Sequence, residues 1–227
     1  MRLRLVDLSL HLARLALVGF LLFVAARCES LSLAVLASAL GFFGSFALMH
    51  DLAHGALRLP RKWNEIALAA AGLLLLMSGH ALRRMHHEHH AAPLGDDDLE
   101  GQPARGSFGR ALLDGPRASI VLRVEAYRRA ASRGRVWQSA ETLASLVALA
   151  LLVASSIPAL RIYAAVAVAL QLSMGVWAAH IPHNTPAWIV RLAEKLAWSG
   201  SPTVLALAYH ERHHARPDVP CQRLASL

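Results

Sequence analysis

The 227-residue sequence is poor in charged residues, aromatic residues and cysteine. Only 17% of its residues are charged, against about 25% in soluble domains, and this deficit argues against a disordered chain or a coiled coil. The two cysteines, Cys28 and Cys221, form no C-x-x-C pair, so no disulfide scaffold is predicted. Aromatic residues make up 6% of the chain and 21 of the 23 basic residues are arginine. The formal charge of +8 therefore indicates a lipid headgroup surface or an acidic protein as partner, and no nucleic acid.

Apolar residues, by contrast, make up 56% of the chain, with a mean hydropathy of +0.41. Four segments have the roughly 20 apolar residues that a bilayer crossing needs: 8–26, 31–49, 140–158 and 162–180. The first resembles a signal peptide, but the Arg-Cys-Glu-Ser that follows it is a poor cleavage site, so a retained span is predicted. A fifth segment, 66–79, would reach only about 21 Å as a helix, which predicts a half-membrane or interfacial helix.

The distribution of basic residues predicts the orientation of these segments. With four crossings and both termini in the cytosol, the outer loops contain only Arg27 and Arg161, and the other 21 basic residues lie on or near the inner side. A fifth crossing would move the arginine-rich stretch 83–135 outside. We therefore expect an all-α integral membrane protein, a single domain over residues 1–227. It has about four transmembrane helices and a histidine-rich, cytosolic-side cap of short and interfacial helices.

The stretch 105–135 of this cap carries eight arginines and two acidic residues, interleaved with apolar residues such as Ile120 and Val124. This pattern predicts an amphipathic helix on the inner membrane surface. Anionic lipid is one partner that suits it. An acidic electron-transfer protein is another, and the two interpretations are compatible.

Histidine is the polar residue present in excess, with 13 copies, of which 11 fall into four groups. Two groups have the pattern H-x-x-H-H, for which chance at this histidine frequency predicts only about 0.04 matches. The two histidines outside the groups, His11 and His80, are expected to be interfacial or hydrogen-bonded. The groups are HDLAH at 50–54, HHEHH at 86–90, the pair His180 and His183, and HERHH at 210–214.

The spacing within these groups predicts a metal site. Helix positions i, i+3 and i+4 share one face, so each H-x-x-H-H directs three imidazoles at one place. In the four-span topology, every group lies at the inner membrane face. Since imidazole nitrogen without thiolate suits redox iron, and since one ion takes at most six ligands, two iron ions are predicted. The eight ligands are His50, His54, His86, His89, His90, His210, His213 and His214.

Three of these four groups resemble the three histidine boxes of the membrane fatty acid desaturase superfamily. The superfamily includes acyl desaturases and carotenoid ketolases and hydroxylases. HDLAH, HHEHH and HERHH match the superfamily patterns H-x(3–4)-H, H-x(2–3)-H-H and H/Q-x(2–3)-H-H. The surrounding HDLAHG, PLGDDDLEG and YHERHHARPDVPCQRL are also similar to sequences of the superfamily. The resemblance extends from about residue 31 to residue 227. We refer to the three groups as box one, box two and box three.

The resemblance implies a ninth ligand after the fourth span. The Pro-His pair of the ketolase-like branch selects His183, whereas alignment on the end of the apolar run selects His180; we prefer His183. No catalytic residue is expected beyond the metal ligands. Six carboxylates are candidates to accept hydrogen bonds from the rings of ligand histidines: Asp51, Glu88, Asp96, Asp97, Asp98 and Glu211.

The resemblance further implies a di-iron membrane oxidase that uses O2 to attack unactivated C–H bonds of a lipid, most simply a fatty acyl desaturase. A carotenoid ketolase or hydroxylase, or another lipid hydroxylase, is the alternative, and HDLAHG, PLGDDDLEG and the Pro-His pair favour that branch. A non-catalytic metal carrier is disfavoured because no ionisable pathway runs across the spans. The chain has no His-Pro-Gly-Gly sequence, so the electron donor is expected to be a separate protein of ferredoxin or cytochrome b5 type, with its reductase.

Overall fold

The computed structural model describes residues 4–227, and these residues form eleven α-helices and no strand. They divide into two compact units. The first contains the residues up to 80 together with 132–170, and the second contains 81–131 and 171–227. The predicted all-α membrane class is confirmed.

Three helices are long and apolar enough to cross a membrane: α1 (Leu5–Arg27), α2 (Leu31–Ala53) and α6 (Ser132–Ala154). Two helix pairs meet the same criterion only when they are taken together across a sharp bend. These pairs are α3 (Arg61–Leu74) with α4 (Gly79–Ala91), and α7 (Pro158–Leu172) with the segment Gly175–Asn184. The described residues therefore hold three to five candidate spans, a range that includes the four predicted.

The observed boundaries differ from the predicted ones near proline and glycine. The predicted segment 140–158 lies in a helix that starts earlier and ends at Ala154. Pro158 begins α7. Proline is favourable at the first position of a helix, because the N–H group that it lacks would have no acceptor within the helix at that position. The predicted segment 162–180 is not one helix, since α7 ends at Leu172 and a π-helical turn follows over Gly175–His180.

In the first unit, α1 and α2 pack closely along their length. Ala25, Ala34 and Ala159 form a small buried core at one end. Farther along, a methyl group on Gly41 would lie 2.8 Å from Val18, so glycine is what permits the two helices to approach. More than half of the residues of α2 are buried, whereas α1 buries only three. Of the two helices, α2 is therefore the one packed inside the unit.

A tight turn ends α3 at Leu74 and starts α4 at Gly79. It depends on two glycines: a Cβ on Gly72 would lie 2.6 Å from the Gly79 nitrogen, and a Cβ on Gly79 would lie 2.5 Å from a backbone oxygen of α3. Leu76 in this turn has a positive φ of 55°. Asn64 fixes α3 to α2 by donating to the Leu52 carbonyl over 2.9 Å.

The second unit is built from short helices, with the exception of α5 (Phe108–Arg129). This helix is amphipathic, as predicted for 105–135, and Ser107 caps its start by accepting from the Arg110 N–H. The buried Ser119 hydroxyl donates to the Gln171 carbonyl over 2.6 Å. The remaining helices are α8 (Ile181–Asn184), α9 (Ala187–Lys195), α10 (Pro202–Ala208) and α11 (His210–Ala215), and a 3₁₀ segment, Cys221–Ser226, follows them.

A small apolar core supports the helix that carries box three. It consists of Ala193, Leu205, Ala208, Tyr209, Val219 and Leu224. Arg212 of α11 spans this core on the outside, since its guanidinium lies 4.9 Å from the Tyr209 ring and donates to the Leu224 carbonyl over 3.2 Å. Tyr209 of this core directly precedes α11, so the core supports the start of the helix that carries the three histidines.

Candidate metal centre

Seven histidines of the second unit come together. They come from three helices that are distant in sequence, namely α4, α8 and α11. Box two lies on α4, whose i, i+3, i+4 spacing turns three rings to one side, and box three lies on α11 in the same way. The seven are His86, His89, His90, His183, His210, His213 and His214.

Four pairs of ring nitrogens in this cluster lie close together. The Nε2 atoms of His90 and His213 are 2.9 Å apart, and those of His89 and His183 are 3.3 Å apart. His210 Nε2 lies 3.2 Å from both His183 Nε2 and His214 Nε2. Two imidazole ligands on one ion, with bonds of about 2.1 Å at angles of 90–109°, would have nitrogens about 3.0–3.4 Å apart. The observed spacings therefore fit shared metal coordination.

Asp98 fixes the ring of His89. His89 Nδ1 donates to Asp98 Oδ2 over 2.7 Å, while the backbone N–H groups of Leu94 and Gly101 donate to the same carboxylate over 2.8 and 2.9 Å. Burial alone would raise the pKa of Asp98, but these hydrogen bonds, that from His89 first, lower the pKa below its usual range. With the proton held at Nδ1, Nε2 of His89 presents its lone pair to the cluster.

Glu100 plays the equivalent part for His86, with His86 Nδ1 and Glu100 Oε1 2.7 Å apart. Burial is the main cause that raises the pKa of Glu100 to about 7; the charge of Asp98 adds to this effect and His89 opposes it. Glu100 was not among the predicted carboxylates, which in PLGDDDLEG were only the three aspartates. The signal was present, since Glu100 is the next acidic residue of the same segment.

The two candidates for the ninth ligand have different surroundings. His183 lies between His89 and His210 in the cluster. His180 ends the π-helical turn, and its Nδ1 donates to the Pro103 carbonyl over 3.2 Å. Asn184 secures the same segment by donating to the Ala104 carbonyl over 2.9 Å. π-Helical turns often occur at functional sites, because they redirect the side chains of a helix.

The first unit carries box one at the end of α2. His50 and His54 are four residues apart, and their ring centroids are separated by 5.0 Å. His54 caps the helix, so both rings lie at the point where the chain leaves α2. Asp51 is buried beside them, with Oδ1 3.9 Å from His50 Nδ1 and Oδ2 3.0 Å from His11 Nε2.

The other proposed carboxylates lie elsewhere. Glu88 accepts from Arg84 and Arg129, at 2.7 and 2.8 Å. Asp96 is fully exposed and lies 3.4 Å from Arg105. The remaining two, Asp97 and Glu211, are exposed. Of the six, only Asp98 and Asp51 are therefore in contact with a proposed ligand among the interactions described above.

A separate buried polar cluster surrounds His80 in the first unit. Its Nδ1 lies 2.6 Å from Glu141 Oε1 and its Nε2 lies 2.7 Å from Glu65 Oε2, while Trp137 stacks on the ring at 4.7 Å. Ser78 and the His80 N–H also donate to Glu141. The prediction that His80 is hydrogen-bonded is confirmed. Its carboxylate partners were not predicted. An acidic residue inside an apolar helix, such as Glu141 in α6, is costly unless it is paired, and it therefore indicates a buried partner.

The donor set of the second unit suits a transition metal. His89, His183 and His214 offer nitrogens within 4.8 Å of one another, and so do His86, His90 and His213. All of these donors are imidazole, which is a ligand for iron, zinc, copper and nickel. Two rings are held at Nδ1 by carboxylates, the buried Asp98 and the partly buried Glu100, an arrangement that metal-binding histidines commonly show. The residues present therefore fit one or more metal ions.

Comparison with known proteins identifies the family. The family model for fatty acid desaturase matches residues 30–227, which include all three boxes and His183 but not α1. No curated protein and no solved structure gives a significant match. A family match of this extent supports a lipid desaturase or hydroxylase type of oxidoreductase, acting in a membrane and using iron. The chain belongs to the fatty acid desaturase family.

Proposed function

We propose that the protein is a di-iron, O2-dependent oxidase that removes hydrogen from unactivated C–H bonds of a lipid, acting as a fatty acyl desaturase. One observation carries this proposal: seven imidazoles of the second unit come together, six of them with nitrogen separations of 2.9–3.3 Å, and two of the seven are oriented by carboxylates. A structural zinc site would need four ligands and commonly includes thiolate. Seven imidazoles exceed one ion's need, which supports two.

The proposed ligand set has nine members, the seven of the second unit together with His50 and His54 of box one. The inclusion of box one rests on its spacing and on the family match, which covers it. His183 is preferred to His180 because its Nε2 lies 3.3 Å from Nε2 of His89 and 3.2 Å from Nε2 of His210, within the cluster of proposed ligands. We propose that residues 1–227 function as one domain.

Iron, when bound, would supply the activation of O2 and the abstraction of hydrogen from the lipid. The chain's own residues have other tasks. Asp98 and Glu100 hold ring protons on Nδ1 of His89 and His86, so that the opposite nitrogens remain free to ligate. The apolar helices bring a lipid chain to the site and exclude water, which limits side reactions.

A carotenoid ketolase or hydroxylase, or another lipid hydroxylase, is the second candidate. It is favoured by the segment PLGDDDLEG, which resembles that branch and which supplies the two carboxylates that hold box two. The Pro182–His183 pair points the same way. A non-catalytic metal carrier is disfavoured because a carrier does not need so many ligands held in fixed orientations.

The remaining parts of the proposal concern surroundings and partners. The boxes and both termini are proposed to face the cytosol, because that orientation leaves only two basic residues outside. Electrons are proposed to come from a separate ferredoxin or cytochrome b5 with its reductase. The basic surface of α5, which exposes Arg110 and Arg128, suits an acidic donor as well as anionic lipid.

The decisive experiment expresses the chain in a host that contains ordinary acyl lipids and β-carotene, and profiles both by mass spectrometry. Loss of two mass units from acyl chains supports the desaturase, and oxygen added to the carotenoid supports the alternative. His89→Ala should abolish the change and the bound iron. His87→Ala is the matched control, because His87 is the exposed neighbour on the same helix. A purified wild-type chain that binds no iron would refute both functions.

A further inference from the structure

The helix α1 has a buried polar face on an otherwise apolar surface. Its only buried residues are Asp7, His11 and Ala25, while apolar side chains such as Phe20 and Phe23 are about 60% exposed. Polar side chains on a membrane helix are costly unless they meet partners in the protein. The face that carries Asp7 and His11 is therefore the one held against other helices, although α1 lies outside the family match.

His11 meets a residue of box one. Its Nε2 lies 3.0 Å from Asp51 Oδ2, and the two side chains are 0% and 3% exposed. Because a carboxylate only accepts, the proton of this bond is on Nε2 of His11. Asp51 is the second residue of HDLAH, between the proposed ligands His50 and His54.

The opposite oxygen of Asp51 faces His50. Asp51 Oδ1 lies 3.9 Å from His50 Nδ1, which is too long for a hydrogen bond but close enough for the carboxylate to act electrostatically on the ring. A carboxylate on this side favours a proton on Nδ1 and leaves Nε2 of His50 as the ligating atom. Asp51 can do so only if its own plane is fixed, and His11 is the partner that holds its other oxygen.

The start of α1 is attached to the same region. The Arg4 N–H donates to the Leu57 carbonyl over 3.2 Å, just after box one. Together with the His11–Asp51 bond, this contact attaches α1 at two points, one within box one and one just after it. The apolar contact between Val18 and Gly41 lies farther along the same two helices.

We propose that His11 is a positioning residue for box one, which acts through Asp51 on the ring of His50. The helix α1 thereby contributes to the geometry of the metal centre. The proposal rests on the proposed function, because it takes box one to be a metal ligand. It concerns orientation and not chemistry: the role assigned to His11 is exercised through its bond to Asp51.

The test compares two near-isosteric variants, His11→Gln and His11→Met, in the purified full-length chain. Glutamine keeps an N–H donor close to the position of Nε2, and methionine does not. Anaerobic Fe²⁺ titration gives the affinity, and the absorption spectrum with Co²⁺ reports the ligand geometry. His11→Gln should keep the wild-type Kd within about threefold, whereas His11→Met should raise the Kd at least tenfold and change the Co²⁺ spectrum.

Val18→Ala is the control for packing, since it loosens the same pair of helices without touching Asp51. It should lower the melting temperature and leave the Kd unchanged. In an Asp51→Asn background, the difference between the Gln and Met variants should disappear. If His11→Met fails to fold, His11→Asn takes its place, because its shorter amide cannot reach Asp51.

Equal Kd values for His11→Gln and His11→Met would overturn the proposal, whether both Kd values stay at the wild-type level or both rise. A wild-type chain that binds no metal is a different result, since it would refute the proposed function itself. A wild-type chain that binds metal, together with a folded His11→Met that binds it as tightly, refutes only the role of His11.

Discussion

Asp98→Asn is the substitution that most directly tests how the centre is oriented. The carboxylate accepts three hydrogen bonds, from His89 Nδ1 and from the backbone N–H groups of Leu94 and Gly101. Asparagine has the same shape but replaces one accepting oxygen by a donor, so it leaves at least one buried donor unmatched. That mismatch costs about 1–3 kcal/mol, and the loss of charge from the bond to His89 adds about 1 kcal/mol. We expect the unfolding free energy to fall by about 2–4 kcal/mol.

The effect on metal binding should be separate from this destabilisation. An amide that donates to Nδ1 would move the ring proton of His89 to Nε2, the atom that faces His183. Loss of such a ring partner costs about 10–100-fold in metal affinity, or about 1.4–2.7 kcal/mol. Fe²⁺ titration of the purified variant measures this change. Asp97→Asn, the same substitution at the exposed neighbour, should leave the affinity within twofold. A folded Asp98→Asn variant with wild-type affinity would refute the orienting role of the carboxylate.

Other expected outcomes separate neighbouring residues or isolate single contacts. His183→Ala should lower the iron content of the purified chain, whereas His180→Ala should keep it; metal analysis of both checks this, and equal losses would contradict it. Glu141→Ala leaves a buried imidazole with one carboxylate fewer and should lower the unfolding free energy by about 3–5 kcal/mol in a denaturant titration. Gly79→Ala would place a methyl group 2.5 Å from a backbone oxygen and should cost about 1–3 kcal/mol by the same assay. Chelation should lower the melting temperature of the wild type, since metal at 100 times its Kd stabilises the fold by about 2.7 kcal/mol, and should lower that of His183→Ala by less, because this variant binds less metal.

Much of the fold could be predicted from hydropathy, because the length of an apolar run is a local property. The segments 8–26 and 31–49 correspond to α1 and α2, whereas the predicted segment 66–79 is displaced from α3, which covers Arg61–Leu74. The boundaries near Pro158 and Gly79 could not be predicted in the same way. A proline after a span can end one helix or begin the next, and only the path of the chain decides between them.

The histidine spacing by itself determined which side chains could ligate a metal, because i, i+3, i+4 positions must share a helix face wherever that helix lies. Tertiary structure alone decided what holds those rings. Three adjacent aspartates are equivalent as sequence, yet only Asp98 is buried among N–H groups that orient it toward His89. His11 and Glu100 are likewise ordinary residues until packing brings each one within 3.0 Å of its partner. Hydrogen bonds depend on distance and direction between residues far apart in the chain, and these are set by the packing of helices and loops, which no local pattern records.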